Sequence, residues 1–362
     1  MARNTYLFLI YQLFGGGAER VTSILASSLA ERGHDVHIGL YKRTDNDYPL
    51  SDKVHVHLMN ATVGRSKISK SLNRIRQVSS LIGEIQPDFT IGMMGSVLVE
   101  GRMAAVGHHT CFISAIRNDP ASTQGSRMQR AIWMLAYKAS NAVFVQNQMQ
   151  KDFFPKRMQK KIFSVFNPVS DAFLEAAHEP IRHVRTIMTS GRLVPQKNQT
   201  MLIDAVADLL DEYPDLSLSI YGEGPLREHL QQHIDAKGVN GQVKLEGRTN
   251  DVLGKLMSHD LFVLPSNYEG MPNALLEAMA VGMPCISTDC RTGPSDMIIN
   301  GQSGLLVPVN DEAAMKKAIR RMIQNPSAAA EMGGQAKRFA GDQCSVEVIT
   351  DKFIHECDKF RL

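Results

Sequence analysis

The segment Leu261-Phe262-Val263-Leu264-Pro265-Ser266-Asn267-Tyr268-Glu269-Gly270-Met271-Pro272-Asn273-Ala274-Leu275-Leu276-Glu277-Ala278-Met279-Ala280 decides how this chain folds. Leu261 to Pro265 is an unbroken apolar run, the pattern of a buried parallel strand. Ala274 to Ala280 reads as a helix, with Pro272 suited to its first turn. A strand that leads through a short loop into a helix N-terminus is the repeating unit of open α/β sheets, which bind ligands beyond the carboxyl ends of their strands. The free N–H groups of such a turn favour an anion. Glu269 precedes the helix and Glu277 lies about a turn and a half inside it. Two carboxylates so placed can hold separate hydroxyl-bearing parts of one ligand. A random pair of glutamates would be a loop residue and a helix-surface residue, so the reading depends on their company.

That company lies upstream. Thr186 to Asn198, TIMTSGRLVPQKN, is a strand, a glycine turn and two cations, followed by a helix from about Met201 to Leu210. Arg192 and Lys197 straddle a loop at another strand's carboxyl end, where converging cations suit a diphosphate. Alone, the two would be solvated loop residues. Leu216 to Ile220 and Val243 to Leu245 are further strands, each with a glycine-bearing turn at its exit (Gly222-Glu223-Gly224-Pro225; Glu246-Gly247-Arg248). A nucleotide-binding α/β domain needs this recurrence.

These motifs resemble the retaining glycosyltransferase family four (glycosyl transferases group 1). Glu269 and Glu277 fit its E-x7-E motif, and Ser190-Gly191-Arg192 with Lys197 fits its diphosphate-binding segment. Gly222 to Pro225, Glu246-Gly247 and Asn300 to Val307 follow in order, and Gly15-Gly16-Gly17-Ala18-Glu19-Arg20 matches its N-terminal glycine loop. The likeness spans nearly the whole chain. It implies the GT-B fold, an α/β architecture of two Rossmann-like domains facing each other across a cleft, with a C-terminal helix crossing back to the first domain. The expected divisions are an acceptor-binding domain over residues 1–166, a nucleotide-sugar domain over 167–345, and the returning helix over 346–362.

The resemblance also implies the chemistry: a hexosyltransferase that moves a sugar, with retention, from a nucleotide diphosphate donor. UDP is the family's commoner nucleotide, and the sugar nucleotide is substrate, so no cofactor is expected. The implied acceptor is lipid-linked or a polysaccharide, in bacterial surface-glycan synthesis. Arg192, Lys197 and Glu269 become the catalytic candidates, the cations by stabilising the leaving diphosphate. Similarity gives Glu277 the ribose hydroxyls and Glu269 the transferred sugar. Gly16, Gly17, Met271, Asn273 and Ala274 are expected near the donor, with Arg248 and Thr249 near its base. Other members carry a histidine or other polar residue after the strand that here ends at Ile116; this chain has Arg117-Asn118-Asp119-Pro120, and Arg117 and Asn118 are expected to face the acceptor side. Two alternatives use related architecture: a nucleotide-sugar 2-epimerase, and a non-catalytic sugar-nucleotide-binding subunit of a glycan synthesis complex.

Length supports two domains, since single cores stop growing near ~250–300 residues and the chain has 362. No apolar run reaches the ~18 residues of a membrane span. The start, Thr5 to Tyr11, reads as the first strand rather than a signal peptide. The five cysteines are scattered, without a CxxC or a His-Cys cluster, so they read as incidental thiols in a reducing compartment. Asp45-Asn46-Asp47 mimics a metal-binding DxD, but in a polar loop it reads as a solvated turn, and no metal is expected.

Charge divides the chain. Residues 1–166 hold 21 Lys+Arg against 11 Asp+Glu, and residues 167–362 hold 19 against 26. A basic half implies an anionic surface or partner. Within it, the helix from about Lys67 to Ile85 begins with a run of cations. Lys67, Lys70 and Arg74 form a row beside the apolar face Ile68, Leu72, Ile75, Ser79, Ile82. One reading is a solvated helix face; the other is contact with anionic phospholipid or the pyrophosphate of a lipid-linked acceptor. On the second, the protein is cytoplasmic and peripheral at the inner membrane face. Nucleic acid is not expected, because no aromatic stacking pattern accompanies the cations. The glycine loop excludes a dinucleotide fingerprint, since Arg20 stands where its third glycine would be.

Overall fold

The computed structural model describes residues 3–60, 66–122, 125–179 and 182–362. The chain divides into two compact units, Met1–Pro168 with Val346–Leu362, and Val169–Ser345.

The first unit alternates strand and helix: β1 (Thr5–Ile10), α1 (Gly17–Glu31), β2 (Asp35–Leu40), β3 (Val54–Leu58), α2 (Lys67–Ile85), β4 (Phe89–Gly92), α3 (Gly95–Ala104), β5 (Cys111–Ala115), α4 (Arg127–Ala139), β6 (Ala142–Val145), α5 (Gln148–Asp152), α6 (Lys156–Gln159) and β7 (Ile162–Ser164). Its seven strands are all parallel, in the order β3-β2-β1-β4-β5-β6-β7. The period-two geometry of β1 sends Tyr6, Phe8 and Ile10 into one core layer and Leu7 and Leu9 into the opposite one. Both faces are thereby covered, which is why the strands read as continuous apolar runs.

The second unit follows the same plan with α7 (Asp171–Glu175), β8 (Thr186–Ser190), α8 (Gln199–Ala207), β9 (Ser217–Tyr221), α9 (Arg227–Lys237), β10 (Val243–Gly247), α10 (Val252–Met257), β11 (Leu261–Leu264), α11 (Asn273–Val281), β12 (Cys285–Thr288), α12 (Pro294–Met297), β13 (Leu305–Val307), α13 (Glu312–Gln324) and α14 (Pro326–Cys344). Its parallel sheet runs β10-β9-β8-β11-β12-β13. In each sheet the strand order reverses once, between β1 and β4 in the first and between β8 and β11 in the second. Those are the topological switch points where such sheets open to ligands.

The last helix, α15 (Val346–Asp358), returns to the first unit. Ile349, Phe353, Ile354 and Cys357 enter the same core layer as Tyr6, Phe8 and Phe144.

Most helices lie within a few residues of the expected spans, and α2 matches Lys67 to Ile85. Three differences stand out. Pro272 occupies the N-cap rather than the first turn, so α11 begins at Asn273. Helix α3 carries no strong periodic signal and was not expected. The apolar face assigned to α2 is only half covered: Ile68 and Leu72 are 74% and 48% exposed, while Val78, Leu81 and Ile82 are buried.

Candidate functional site

The switch point of the second sheet gathers the residues that carry charge. Strand β8 ends at Ser190; Gly191 and Arg192 follow, and a single 3₁₀ turn, Pro195–Lys197, brings the chain back over the strand end. A Cβ on Gly222 would stand 1.9 Å from the Gly191 carbonyl oxygen, and its φ of 147° is closed to other residues, so glycine there lets the exits of β8 and β9 meet. On the other side, β11 releases Pro265 to Pro272 before α11 begins.

Lys197 and Glu269 meet across this gap. Lys197 Nζ lies 2.5 Å from Glu269 Oε1. Ser266 Oγ donates to the same oxygen at 2.6 Å, and Gln196 Nε2 stands 3.5 Å from Oε2. Gln196 Nε2 also donates to the Tyr268 carbonyl at 2.8 Å, and its own carbonyl accepts from Asn267 N–H at 2.7 Å. Thr292 Oγ1 donates to the Glu269 carbonyl. The side chains are 15% and 8% exposed, so the pair is nearly out of water, where a charge is tolerated only with a partner. Sequence reasoning found Lys197 and Glu269 but missed Ser266, Gln196 and Thr292. These are uncharged polar residues in loops and turns, and only the fold shows that all three converge on Glu269, two at its carboxylate and Thr292 at its backbone carbonyl.

The remaining donor candidates surround this pair unevenly. Arg192 is exposed, and among the described residues its guanidinium makes no hydrogen bond or ion pair; its carbonyl accepts from Gln199 Nε2 at 3.1 Å. Glu277 is buried within α11, and Met271 is buried just before it, whereas Asn273 and Ala274 are half-buried in the first turn. Gly293, at φ 100°, packs so closely on the Gly270 carbonyl and Pro272 that a side chain there would displace the loop. Arg248 is exposed after β10, and the Thr249 hydroxyl accepts from Asp251 N–H at 3.0 Å, starting α10. Cys285 and Cys290 are buried thiols; burial pushes Cys290 up to about 12, so neither is poised for redox or metal chemistry.

In the first unit, Gly16 caps α1 and Gly17 opens it. Glu19 folds back over them, its carboxylate standing where a Gly16 side chain would be. Arg117 follows β5; its Nη2 donates to Asn167 Oδ1 at 2.5 Å, and its guanidinium lies 5.1 Å above the Phe144 ring. Asn118 turns inward, its side chain accepting from Asp119 N–H at 2.9 Å and its carbonyl accepting from Gln150 Nε2 at 3.2 Å. Asp47 closes the Asp45–Asp47 loop by accepting from the Thr44 N–H at 3.2 Å and its hydroxyl at 2.7 Å, as a polar turn does.

The basic row on α2 is partly engaged within the first unit. Arg74 Nε and Nη2 hold the buried Glu100 of α3 at 2.9 and 2.5 Å. The helix lacks an acid in its own first turns, but α3 supplies one. Lys70 stays half-buried without an ion pair among the described residues, and the Lys67 side chain lies outside the described residues.

Residues 174–339 match the family model described as Glycosyl transferases group 1, and residues 12–147 match that described as Glycosyl transferase 4-like. An uncharacterized glycosyltransferase of Haemophilus influenzae is 25% identical over 343 residues, 93% of this chain and 95% of the relative. A Campylobacter jejuni relative is 24% identical over 339 residues, 92% of this chain and 93% of its own; it is the GalNAc-alpha-(1->4)-GalNAc-alpha-(1->3)-diNAcBac-PP-undecaprenol alpha-1,4-N-acetyl-D-galactosaminyltransferase. The crystal structure of Anabaena HepE with UDP and glucose superposes with a TM-score of 0.84 at 17% identity, over 98% of this chain and 100% of that one. With two glycosyltransferase models covering its two units, the chain is a glycosyltransferase of GT-B fold.

Proposed function

We propose that the protein transfers a hexose-type sugar, with retention, from a UDP-linked donor to a lipid-linked or polysaccharide acceptor in bacterial surface-glycan synthesis. The Lys197–Glu269 ion pair at the second sheet's switch point carries this reading. In the free protein each charge satisfies the other. When a sugar diphosphate arrives, Lys197 exchanges the carboxylate for phosphoryl oxygens, and Glu269, still held by Ser266, turns to a sugar hydroxyl. Arg192, exposed and without an ion pair among the described residues, closes on the same diphosphate by forked hydrogen bonds. As the glycosidic bond breaks, charge grows on the leaving phosphate, and both cations stabilise it. Glu277 takes the ribose hydroxyls and the first turn of α11 offers N–H groups to phosphate. The leaving phosphate accepts the acceptor's proton, so no separate strong base is required and no metal takes part. Activity should therefore persist in chelator; its loss there, with rescue by manganese, would refute that part.

The Campylobacter relative's diphosphate-lipid acceptor supports a lipid-linked substrate. An anionic membrane surface fits α4 better than α2. Met128, Ile132 and Leu135 lie on one outward face of α4, 71%, 41% and 64% exposed, flanked by the exposed Arg127 and Arg130. A basic helix with an uncovered apolar stripe is built to lie in a lipid interface. Among the described residues no helix is long and apolar enough to span a membrane.

Thermal-shift measurements with nucleotide sugars test the reading, because a ligand of the folded state adds about 2.7 kcal/mol at a hundredfold excess over Kd. A UDP-sugar should raise Tm, and K197A should abolish the rise. A UDP-sugar converted to its 2-epimer without acceptor would identify an isomerase instead.

A further inference from the structure

Among the described residues, Arg117 is the functional candidate with buried donors left over. Its Nη2 is committed to Asn167 Oδ1, an oxygen that Gln146 Nε2 also reaches at 3.0 Å. Its Nε and Nη1 are buried and have no hydrogen-bond acceptor among the described residues. The surroundings are ordered rather than loose. Gln146 N–H donates to Gln150 Oε1 at 2.7 Å, Gln150 Nε2 returns to Gln146 Oε1 at 3.2 Å, and both glutamines and Asn167 are buried. Phe144 forms the floor beneath the guanidinium. Every neutral member of this network has a partner, whereas two donors of the cation at its centre have none among the described residues.

A buried guanidinium with two unmatched donors costs stability and persists only where something repays it. Burial draws the Arg117 pKa down to about 9, against a smaller opposing effect of the Glu19 carboxylate in the first turn of α1. Arg117 as a residue is half-buried, although its Nε and Nη1 are out of water, so the proposed site lies close beneath the surface of the first unit.

We propose that Arg117 is a phosphoryl-binding residue of the first unit: it is stowed on Phe144 and Asn167 in the free protein and turns its Nε–Nη1 edge onto a phosphate group of the substrate. Planar, two-pronged donation is what a guanidinium offers phosphate and what a lysine cannot reproduce. Two sources share this chemistry, the donor's diphosphate and an acceptor's lipid diphosphate. Choosing between them rests on the glycosyltransfer reading, whereas the anion site does not.

The test uses full-length protein and inorganic pyrophosphate. In an R192A/K197A background, which removes the second unit's cations, calorimetry should detect residual pyrophosphate binding. Adding Arg117→Met should weaken that binding at least tenfold, and Arg117→Lys should restore only part. Absence of residual binding, or equal binding with and without Arg117, overturns the proposal. The Tm of R117M, otherwise wild type, is the second readout. Removing an unmatched buried charge while keeping the stem should leave Tm unchanged or higher; a fall of many degrees would make Arg117 a structural residue and overturn the proposal. In the intact site, R117M that weakens UDP affinity assigns the donor phosphate, and R117M that raises only the KM of a diphosphate-linked acceptor assigns the acceptor; a variant that moves neither overturns the proposal. Wild-type protein that binds pyrophosphate but no nucleotide sugar would instead refute the transferase reading and leave Arg117's role standing.

Discussion

Lys197 and Glu269 serve two ends that can be separated by mutation. As a nearly dry ion pair they hold the switch-point loops together; as single charges, on the proposed function, they would serve the donor. K197A should lower turnover about 10²–10³-fold by removing transition-state charge stabilisation, and should destabilise the fold by ~3–5 kcal/mol by stranding the Glu269 carboxylate. The double variant K197M/E269Q should recover most of the stability and none of the turnover, a coupling that denaturant titration and steady-state rates would resolve. Equal stability of single and double variants would show the pair to be incidental. A pH effect belongs to β2 and β3. His37 Nδ1 and His57 Nε2 lie 2.9 Å apart, and His37 Nε2 lies 3.1 Å from Asp35 Oδ1. Burial lowers both histidine pKa values, with Asp35 opposing the shift at His37 and Glu84 at His57. The folded pKa values lie below the unfolded value near 6.5, so on acidification the unfolded chain takes protons first. Stability from this source is present above about pH 6.5 and is lost as pH falls below it. Tm should therefore drop more steeply from pH 7 to 5.5 in wild type than in H37Q/H57Q. Lys197 and Glu269 were readable from sequence as charges in the loops beyond two strands, but not that the two meet. The Arg74–Glu100 pair was not legible, because Glu100 stands 26 residues away on a helix with little periodic signal.

Helices announce their length in sequence more clearly than their covering. Ser66 caps α2 by accepting from Ser69 N–H, and Ser126 caps α4 by accepting from Gln129 N–H, both with reciprocal capping boxes. Which face lies against the sheet depends on neighbours that periodicity does not name. In α2 the apolar stripe was legible, yet its first turns, Ile68 and Leu72, emerge uncovered. In α4 the outward side carries Met128, Ile132 and Leu135, while Ala136 alone is buried. That makes α4 the element on which membrane contact should be tested. Flotation with anionic vesicles should be lost in I132E/L135E and weakened by salt, because apolar insertion and charge attraction both contribute. R74E should instead act through folding, since it sets two acids against each other at Glu100. Vesicle binding that survives I132E/L135E would remove α4 from the account.

At the scale of the molecule, the alternation of buried strands with helices was enough to foretell two parallel sheets, because covered strands cannot hide their apolar runs. The destination of the last helix was not legible from its own residues. An amphipathic helix fits many sheets, and only family resemblance pointed it to the first unit. The structure supplies the physical reason: Phe353 completes an aromatic cluster, 5.4 Å from Phe144 and 6.3 Å from both Tyr6 and Phe8 between ring centroids. Thr350 Oγ1 donates to Ser28 Oγ of α1 at 2.9 Å, and Asn4 Nδ2 donates to Asp358 at 3.1 Å. The first unit is thus closed by the end of the chain. F353A should cost ~3–5 kcal/mol, the usual penalty for emptying a buried phenylalanine site. Ending the chain at Ser345 should do more: it uncovers Tyr6, Phe8 and Phe144 together and strips Ile349, Phe353, Ile354 and Cys357 from the core layer they share. Protease should then cut first within residues 1–168, while 169–345 resists and keeps its UDP-dependent rise in Tm. If the shortened chain keeps the first unit resistant, α15 is an accessory rather than part of its core. If both units collapse together, the two do not fold as separate bodies.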